Sequence, residues 1–188
     1  ELGVDRKDVR FEVIEEPSKG LFGFIGSKDA KVKVTVVNDP VEIAETFTAM
    51  LLNGMHISGN AKVSRKNTML FVDINDINSV DTGILIGKRG NTLDSIQYLL
   101  SLAVNKNREN YIKVQVDSKG YRKKREQTLV KFANRMAQKA KYENQIVKLE
   151  PMNPYERRII HSALQDFEGV TTHSEGEEPY RRVVIEVK

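Results

Sequence analysis

Two glycines and two cations occupy four consecutive positions, Gly87-Lys88-Arg89-Gly90. Glycine carries no Cβ atom, so its backbone can approach a bulky ligand closely. A helical pattern begins at Asn91, and the N–H groups of a helix's first turn favour an anion. Lys88 and Arg89 would neutralise phosphate charge beside those groups. The four residues therefore predict a site for the sugar–phosphate backbone of a nucleic acid.

Apolar residues precede this loop. We expect Ile84 and Ile86, together with Val72 from an earlier strand, to line an apolar groove for bases. Only 7% of the residues are aromatic and none is Trp. Base recognition is therefore expected to depend on hydrogen bonds and aliphatic contacts more than on stacking.

The segment from Gly83 to Arg89 does not form a nucleotide-binding P-loop, which has the pattern G-x-x-x-x-G-K-[ST]. Gly83 and Gly87 are one residue too close together, and Arg89 stands where the magnesium-binding Ser or Thr is required. We therefore exclude an ATPase of that class.

Six predicted elements surround the loop and must position it. Apolar residues with helical spacing predict a helix over residues 41–53, preceded by Asn38-Asp39-Pro40 as its start signal. Alternation predicts a hairpin of strands Ile57–Ser64 and Met69–Ile74, joined across residues 65–68. A short helix before Gly87, a longer helix over Asn91–Asn105 and a strand over Tyr111–Val116 follow. The predicted order is α-β-β-α-α-β, with the loop between the fourth and fifth elements.

This order and its G-x-x-G loop resemble the prokaryotic, type II KH domain over residues 40–117. The resemblance implies that the loop grips the backbone of about four nucleotides. It also implies that Gly87, Lys88, Arg89 and Gly90 form the backbone contact.

The C-terminal part is strongly basic. Residues 118–188 contain fifteen basic and ten acidic side chains. The segment from Lys119 to Lys141 contains nine basic residues and only one acidic residue, Glu126. A long helix is predicted over residues 118–142, with Leu129, Ala133 and Ala137 on its buried stripe. Its cations Arg122, Lys123 and Lys124 form either a solvated helix face or a nucleic-acid footprint, and the charge run leaves both open.

A second candidate site lies in the helix predicted from Asn153 to His161. Arg157 and His161 are four residues apart and share one helix face, although a solvated Arg and a capping or surface His have the same spacing. Strands are predicted at Gln145–Leu149, Val170–Ser174 and Arg181–Val187. Asn-Pro-Tyr-Glu-Arg-Arg-Ile-Ile-His and the later Gly-Glu-Glu-Pro-Tyr-Arg-Arg resemble the R-three-H domain over residues 118–188. That resemblance implies binding of single-stranded nucleic acid by Arg157, His161, Arg181 and Arg182.

The N-terminal part alternates Val9, Phe11 and Val13, and later Val32, Val34 and Val36, which predicts two strands. The segment Lys19–Gly26 between them is predicted to be a turn that exposes Leu21 to Ile25, and it resembles the end of the Jag N-terminal domain. Together with the KH and R-three-H resemblances of residues 40–117 and 118–188, it identifies the chain as a member of the bacterial Jag protein family. The predicted fold is α+β, divided into residues 1–38, 39–117 and 118–188.

The remaining composition excludes several classes of protein. The 188 residues contain no cysteine, which excludes disulfides and thiolate metal sites. His56, His161 and His173 have no metal-ligand spacing, and no nucleophile–base constellation is present. We therefore predict a non-enzyme without a cofactor, located in the cytoplasm, with a position close to the membrane left open.

The predicted function is binding of single-stranded RNA in post-transcriptional regulation. The Jag resemblance implies a link to envelope growth and division, a small single-KH partner protein, and an insertase or another membrane-associated envelope component as a partner. Homo-oligomerisation is also left open. The alternatives are a membrane-proximal protein scaffold and binding of single-stranded DNA.

Overall fold

The computed structural model describes residues 9–17 and 28–188. The chain divides into two compact units, Glu1–Asp117 and Ser118–Lys188, called the N-terminal and C-terminal units below. The predicted α+β class is confirmed. Within the described ranges, no helix is both long enough and apolar enough to cross a membrane.

The described part of the N-terminal unit begins with an antiparallel pair of strands, β1 (Val9–Glu15) and β2 (Lys31–Val36). Cross-strand pairs such as Phe11 with Val34 place apolar residues on one face, because side chains alternate along a strand. The other face carries polar pairs such as Glu12 with Lys33. The two predicted strands are confirmed, whereas the predicted exposed turn at Leu21–Ile25 lies outside the described residues.

Six elements follow in the predicted order. They are α1 (Pro40–Gly54), β3 (Asn60–Lys66), β4 (Met69–Asn75), α2 (Ser79–Ile86), α3 (Asn91–Asn105) and β5 (Lys113–Asp117). The strands form one sheet in the order β3-β4-β5, in which β3 and β4 are antiparallel and β4 and β5 are parallel. The predicted α-β-β-α-α-β arrangement is confirmed.

Two strands begin later than predicted, each for a local reason. Ile57 lies in the helix's closing turn, since its N–H donates to Leu52 O at 2.9 Å, and β3 begins only at Asn60. Ile112 is held by the side chain of Asn105 through bonds of 2.7 and 2.8 Å to its backbone N–H and C=O. Because this side chain occupies those backbone groups, the strand ladder of β5 begins at Lys113.

Side-chain caps fix where the helices start. Asp39 accepts a hydrogen bond from Val41 N at 2.9 Å, with Pro40 in the first turn of α1. Asn78 accepts one from Asp81 N at 2.9 Å and caps α2. Below the helices, Leu70, Val72 and Ile74 of β4 are at most 1% exposed. Helix α1 packs on β3 and β4, α3 packs on β5, and α2 packs on α3, so the loop is positioned by helices that rest on the sheet through α1 and α3.

The C-terminal unit contains α4 (Tyr121–Glu143), β6 (Val147–Lys148), α5 (Pro154–Leu164), β7 (Val170–Glu175) and β8 (Arg182–Val187). Its antiparallel sheet has the order β6-β8-β7. The long helix begins at Tyr121 rather than at residue 118, because Lys119 and Gly120 adopt positive φ angles of 51° and 65°. The strand predicted over Gln145–Leu149 is reduced to two residues.

The two helices of this unit pack through small residues and one ion pair. Leu129, Ala133, Ala137 and Ala140 of α4 are buried in the core with Ile160 and Leu164 of α5. At the start of both helices, Arg125 Nη2 lies 2.7 Å from Glu156 Oε1, a carboxylate that is almost fully buried. This pair fixes the beginning of α5 against α4.

Candidate nucleic-acid interface

The Gly87–Gly90 loop joins α2 to α3 through a backbone that turns twice. Gly87 has φ 71° and ψ −177°, and its N–H donates to Gly83 O at 2.8 Å to close α2. A single 3₁₀ turn over Lys88–Gly90 follows, in which Arg89 (φ 57°) and Gly90 (φ 86°) are both left-handed. Gly87, Arg89 and Gly90 therefore all adopt conformations that L-amino acids with side chains rarely adopt.

Glycine is required at position 87 for two reasons. The combination of positive φ with ψ near 180° is essentially restricted to glycine. A Cβ atom there would also lie 2.1 Å from Thr92 Oγ1 and 2.8 Å from Thr92 Cβ in the first turn of α3. Gly87 thus allows the close approach that the sequence predicted, but the group that approaches it is the first turn of the protein's own helix α3.

The two cations of the loop differ in exposure. Lys88 is exposed, whereas Arg89 is half-buried. Gly90 is the N-cap residue of α3 and supplies no side-chain hydrogen bond to the first turn. An anion placed at this turn would meet the positive end of a 15-residue helix with Lys88 beside it.

The apolar residues near the loop divide between core and surface. Ile84 is 53% exposed and Ile86 is half-buried, whereas Leu85 between them is fully buried. Val72, which we expected in the groove, is 1% exposed and belongs to the core. That part of the expectation is wrong, because the face of β4 that carries Val72 is the face covered by the helices.

The cations at the start of α4 are held to different degrees. Lys123 is exposed, and Arg122 is half-buried. Lys124 donates its Nζ to the carbonyl of Lys119 at 2.8 Å, so one of its three protons is used inside the protein. Lys123 and Lys124 are thus both exposed, and Lys124 is in addition bonded within the protein.

Arg157 is a buried side chain that stabilises the C-terminal unit. Its Nη1 donates to Met152 O at 2.8 Å, and its Nη2 lies 2.7 Å from Glu178 Oε1. The residue is 8% exposed. The guanidinium thus connects the start of α5 to the β7–β8 connection.

His161 is also bonded to its own domain. Its Nδ1 lies 2.8 Å from Thr172 Oγ1 and its Nε2 lies 2.8 Å from Ser174 Oγ, both on β7. Burial lowers the pKa of His161 below its ordinary value of 6.5, and the charge of Arg157 and then the proximity of His173 lower it further. The imidazole is therefore neutral at physiological pH and anchors α5 to the sheet.

Arg181 completes this arrangement. It donates to Gly176 O at 2.8 Å and to Ser174 O at 3.3 Å, which braces the β7–β8 connection. Arg182 begins β8 and is half-buried. The structure thus brings Arg157, His161 and Arg181 together around that connection, as bonded rather than free side chains. Their predicted contact with nucleic acid stays a prediction.

Sequence reasoning missed the side chains that hold Arg157 and His161. They are Glu178, Thr172 and Ser174. It also missed the separate pair of Arg125 with Glu156. The acid run Glu177-Glu178 before Pro179 was visible, but nothing in its spacing connects it with Arg157, twenty-one positions earlier. Among the described residues, no group of three or more His, Cys, Asp or Glu side chains could hold a metal ion.

Comparison with known proteins assigns each part of the chain. Residues 1–36 match the Jag N-terminus, residues 41–116 match the KhpA/KhpB KH domain, and residues 127–186 match the R-three-H domain. A protein of Clostridium symbiosum named RNA-binding protein KhpB is 43% identical over the whole of this chain and 84% of its own length. The chain belongs to the KhpB family, also called the Jag family.

Other KhpB proteins are similar over different lengths. That of Bacillus subtilis strain 168 is 35% identical across all of this chain and 90% of its own. That of Streptococcus pneumoniae serotype 2 is 30% identical over 66% of this chain and 37% of its own. The resemblance inferred from the sequence is therefore confirmed for all three parts.

The Gly87 geometry generates a first prediction. Gly87→Ala should lower the free energy of unfolding by about 2–4 kcal/mol, through backbone strain and the contact with Thr92. Thermal or urea denaturation followed by circular dichroism measures the change. Gly83→Ala is the matched control, since nothing lies within 4 Å of its added Cβ and alanine should stabilise α2 by about 0.5–1 kcal/mol. Equal stabilities of the two variants would contradict the argument.

The environment of His161 generates a second prediction. A lowered folded-state pKa means that stability is present above the unfolded value of 6.5 and is lost as pH falls through the folded value. The melting temperature of the C-terminal unit should therefore decrease between pH 7 and pH 5.5. His161→Gln should show a flatter pH dependence over this range, because that side chain cannot titrate. An NMR titration in which the His161 ring has a midpoint above 6.5 would refute the prediction.

Proposed function

We propose that this chain binds single-stranded RNA, with the Gly87–Gly90 loop as the principal contact for the backbone. The observation that carries the proposal is the exposed Lys88, which follows Gly87 with its glycine-only geometry and precedes α3, whose N-cap residue supplies no side-chain hydrogen bond. Three components lie within a few residues of one another in this loop: peptide N–H groups, the positive helix end and one or two cations. A phosphate is the RNA group that satisfies all three.

The side chains around the loop supply the rest of the proposed contact. Gly87 and Gly90, of which Gly90 is buried, give the loop its sharp turn, and Lys88 and Arg89 neutralise phosphates. Ile84 and Ile86 offer aliphatic surface to the adjoining bases, and the exposed half of Ile84 is the larger contribution. Support also comes from relatives that carry the name RNA-binding protein KhpB.

In the C-terminal unit we propose two kinds of role. Arg122, Lys123 and Lys124 contribute positive potential that steers RNA without reading its sequence. Arg157, His161 and Arg181 shape the surface of the R-three-H part from beneath, since each is bonded within the unit. Arg182 remains a candidate for direct backbone contact.

We further propose a non-catalytic, cytoplasmic protein made of segments 1–38, 39–117 and 118–188. Its regulatory role would be post-transcriptional and linked to envelope growth or division. The Jag resemblance supports this link.

A second candidate function is protein interaction, alone or together with RNA binding. It is favoured by exposed apolar side chains on α3, where Tyr98 is 64% and Leu102 is 54% exposed. A small single-KH protein, a membrane-associated envelope or insertase component, and a second copy of the chain are the proposed partners. Single-stranded DNA is the alternative nucleic acid. Binding that falls steeply with added salt indicates backbone contacts, whereas an apolar protein contact changes little.

The loop generates a third prediction. Replacing Lys88 and Arg89 together by Asp should cost about 2–4 kcal/mol of RNA affinity, because two cations no longer neutralise phosphates and two anions repel them. Stability should change little, because Asp tolerates left-handed φ and is favourable before a helix N-terminus. Fluorescence anisotropy with labelled single-stranded RNA measures the affinity.

The matched control changes the same charge elsewhere in the N-terminal unit. Lys66→Asp with Lys106→Asp alters two exposed cations at the end of β3 and just after α3. This double variant should retain most of the affinity. If both double variants lose affinity equally, net charge rather than the loop explains the binding.

The start of α4 generates a fourth prediction. Lys123→Gln with Lys124→Gln should weaken binding to all RNA sequences alike. The slope of log affinity against log salt should flatten by about 0.7 for each phosphate that is no longer neutralised. Lys62→Gln with Lys66→Gln on β3 removes the same charge and should leave the slope nearly unchanged. A slope that stays constant in the first variant identifies the basic run as a solvated helix face.

A further inference from the structure

Two clefts flank Arg158 on α5, the residue next to Arg157. A cleft of about 480 Å³ between α5 and β7, called the polar cleft, is lined by hydrogen-bonding side chains that include Gln165 and Thr171. A second cleft of about 330 Å³ between α4 and α5, called the aromatic cleft, is lined by Tyr155, Val130 and Ile159. Arg158 and Ser162 line both clefts, so they form the ridge that separates them.

The helical spacing makes this ridge continuous. Tyr155, Arg158, Ser162 and Gln165 lie at positions i, i+3, i+7 and i+10, which places them along one face of the helix. Ten residues of helix rise about 15 Å. The ridge is therefore long enough for more than one nucleotide.

Arg158 is available to a ligand, whereas its neighbour Arg157 is not. Arg158 is exposed, and across residues 9–17 and 28–188 no hydrogen bond or ion pair involves its guanidinium group. Arg157 is buried against Met152 O and Glu178. Arg157 therefore stabilises the C-terminal unit, whereas Arg158 presents its charge to solvent.

The clefts offer complementary chemistry on either side of that charge. In the aromatic cleft Tyr155 is 57% exposed and lies beside the aliphatic Val130 and Ile159, which suits stacking of a base. In the polar cleft both ring nitrogens of His161 are already used by Thr172 and Ser174. The amide of Gln165 and the hydroxyl of Thr171 therefore supply the donors and acceptors for a base edge.

We infer that these two clefts bind two successive nucleotides of single-stranded RNA, with Arg158 on the phosphate between them. The inference rests on the proposed RNA binding and adds a subsite to it. Glu126 lines the aromatic cleft, which places the phosphate on the side of the polar cleft, where Lys188 adds a second cation. A guanidinium group holds a phosphate through two parallel N–H donors, which a lysine in the same position does not reproduce.

The test uses the full chain and a 12-nucleotide uridine-rich RNA that carries one 2-aminopurine. Arg158→Ala should lower the affinity about fivefold to tenfold, whereas Arg10→Ala, an exposed arginine of β1, should change it less than twofold. Tyr155→Ala should lower the affinity by a similar factor and remove part of the quenching of 2-aminopurine fluorescence. Tyr155→Phe should retain both, and Tyr142→Ala, at a tyrosine that is 93% exposed, is the aromatic control.

The outcomes separate this subsite from the proposed function. If the unmodified chain binds RNA and Arg158→Ala and Tyr155→Ala bind it equally well, the subsite is overturned and the Gly87–Gly90 proposal stands. If the unmodified chain does not bind RNA, both proposals fall.

A measurement without substitutions covers the case of a misfolded variant. Ultraviolet cross-linking of the unmodified chain to uridine RNA, followed by mass spectrometry, should identify peptides that contain Tyr155 or the segment from Ser162 to Thr171. Cross-links confined to the N-terminal unit would overturn the subsite.

Discussion

The contact between Gly87 and Thr92 is the constraint on which the candidate RNA interface depends. The backbone must reverse between α2 and α3 while the first turn of α3 lies against it, and only a residue without Cβ allows this. This reversal fixes the uncapped end of α3 and the exposed position of Lys88. The absence of a side chain at Gly87 therefore serves the packing of α3 against the loop. The proposed phosphate contact depends on the exposed Lys88, which this packing positions.

The C-terminal unit depends instead on buried charge. Glu156 is paired with Arg125, and Arg157 is paired with Glu178 and Met152 O. Removing Arg125 would leave the carboxylate of Glu156, which is 5% exposed, without its charged partner, and this costs several kcal/mol. The side chain of Glu178 is 52% exposed, so solvent screens its pair with Arg157 and that pair contributes less. These pairs join α4, α5 and the β7–β8 connection, and His161 adds two bonds to β7. Residues that resemble a binding motif in the sequence thus carry structural bonds. Their exposed neighbours Arg158 and Tyr155 are the side chains that we propose contact RNA.

Much of the fold followed from local pattern. The order of elements around the loop, the helix Asn91–Asn105 and the stripe through Leu129 and Ala137 were predictable, because helical and strand periodicities differ and each element buries one face. The strand ends were not predictable. Ile112 is held by Asn105, seven residues away, and Lys119 with Gly120 turns the chain before α4. Such boundaries depend on which partner satisfies a backbone group, and periodicity carries no information about that choice.

The sequence by itself determined the family, the α+β class and the place of the G-x-x-G loop between two helices. Glycine spacing and amphipathic periodicity are local properties, so they can be read without the tertiary structure. Tertiary structure alone decided which cations face solvent. Arg157 and Arg158 are adjacent and chemically identical, yet a helix turns by about 100° per residue. One guanidinium is therefore buried against Met152 O and Glu178, and the other lies between two clefts. The position of Val72 could not be decided from the sequence either. Alternation along β4 places Val72 on one face of the strand, but only the packing of the helices shows that this face is buried.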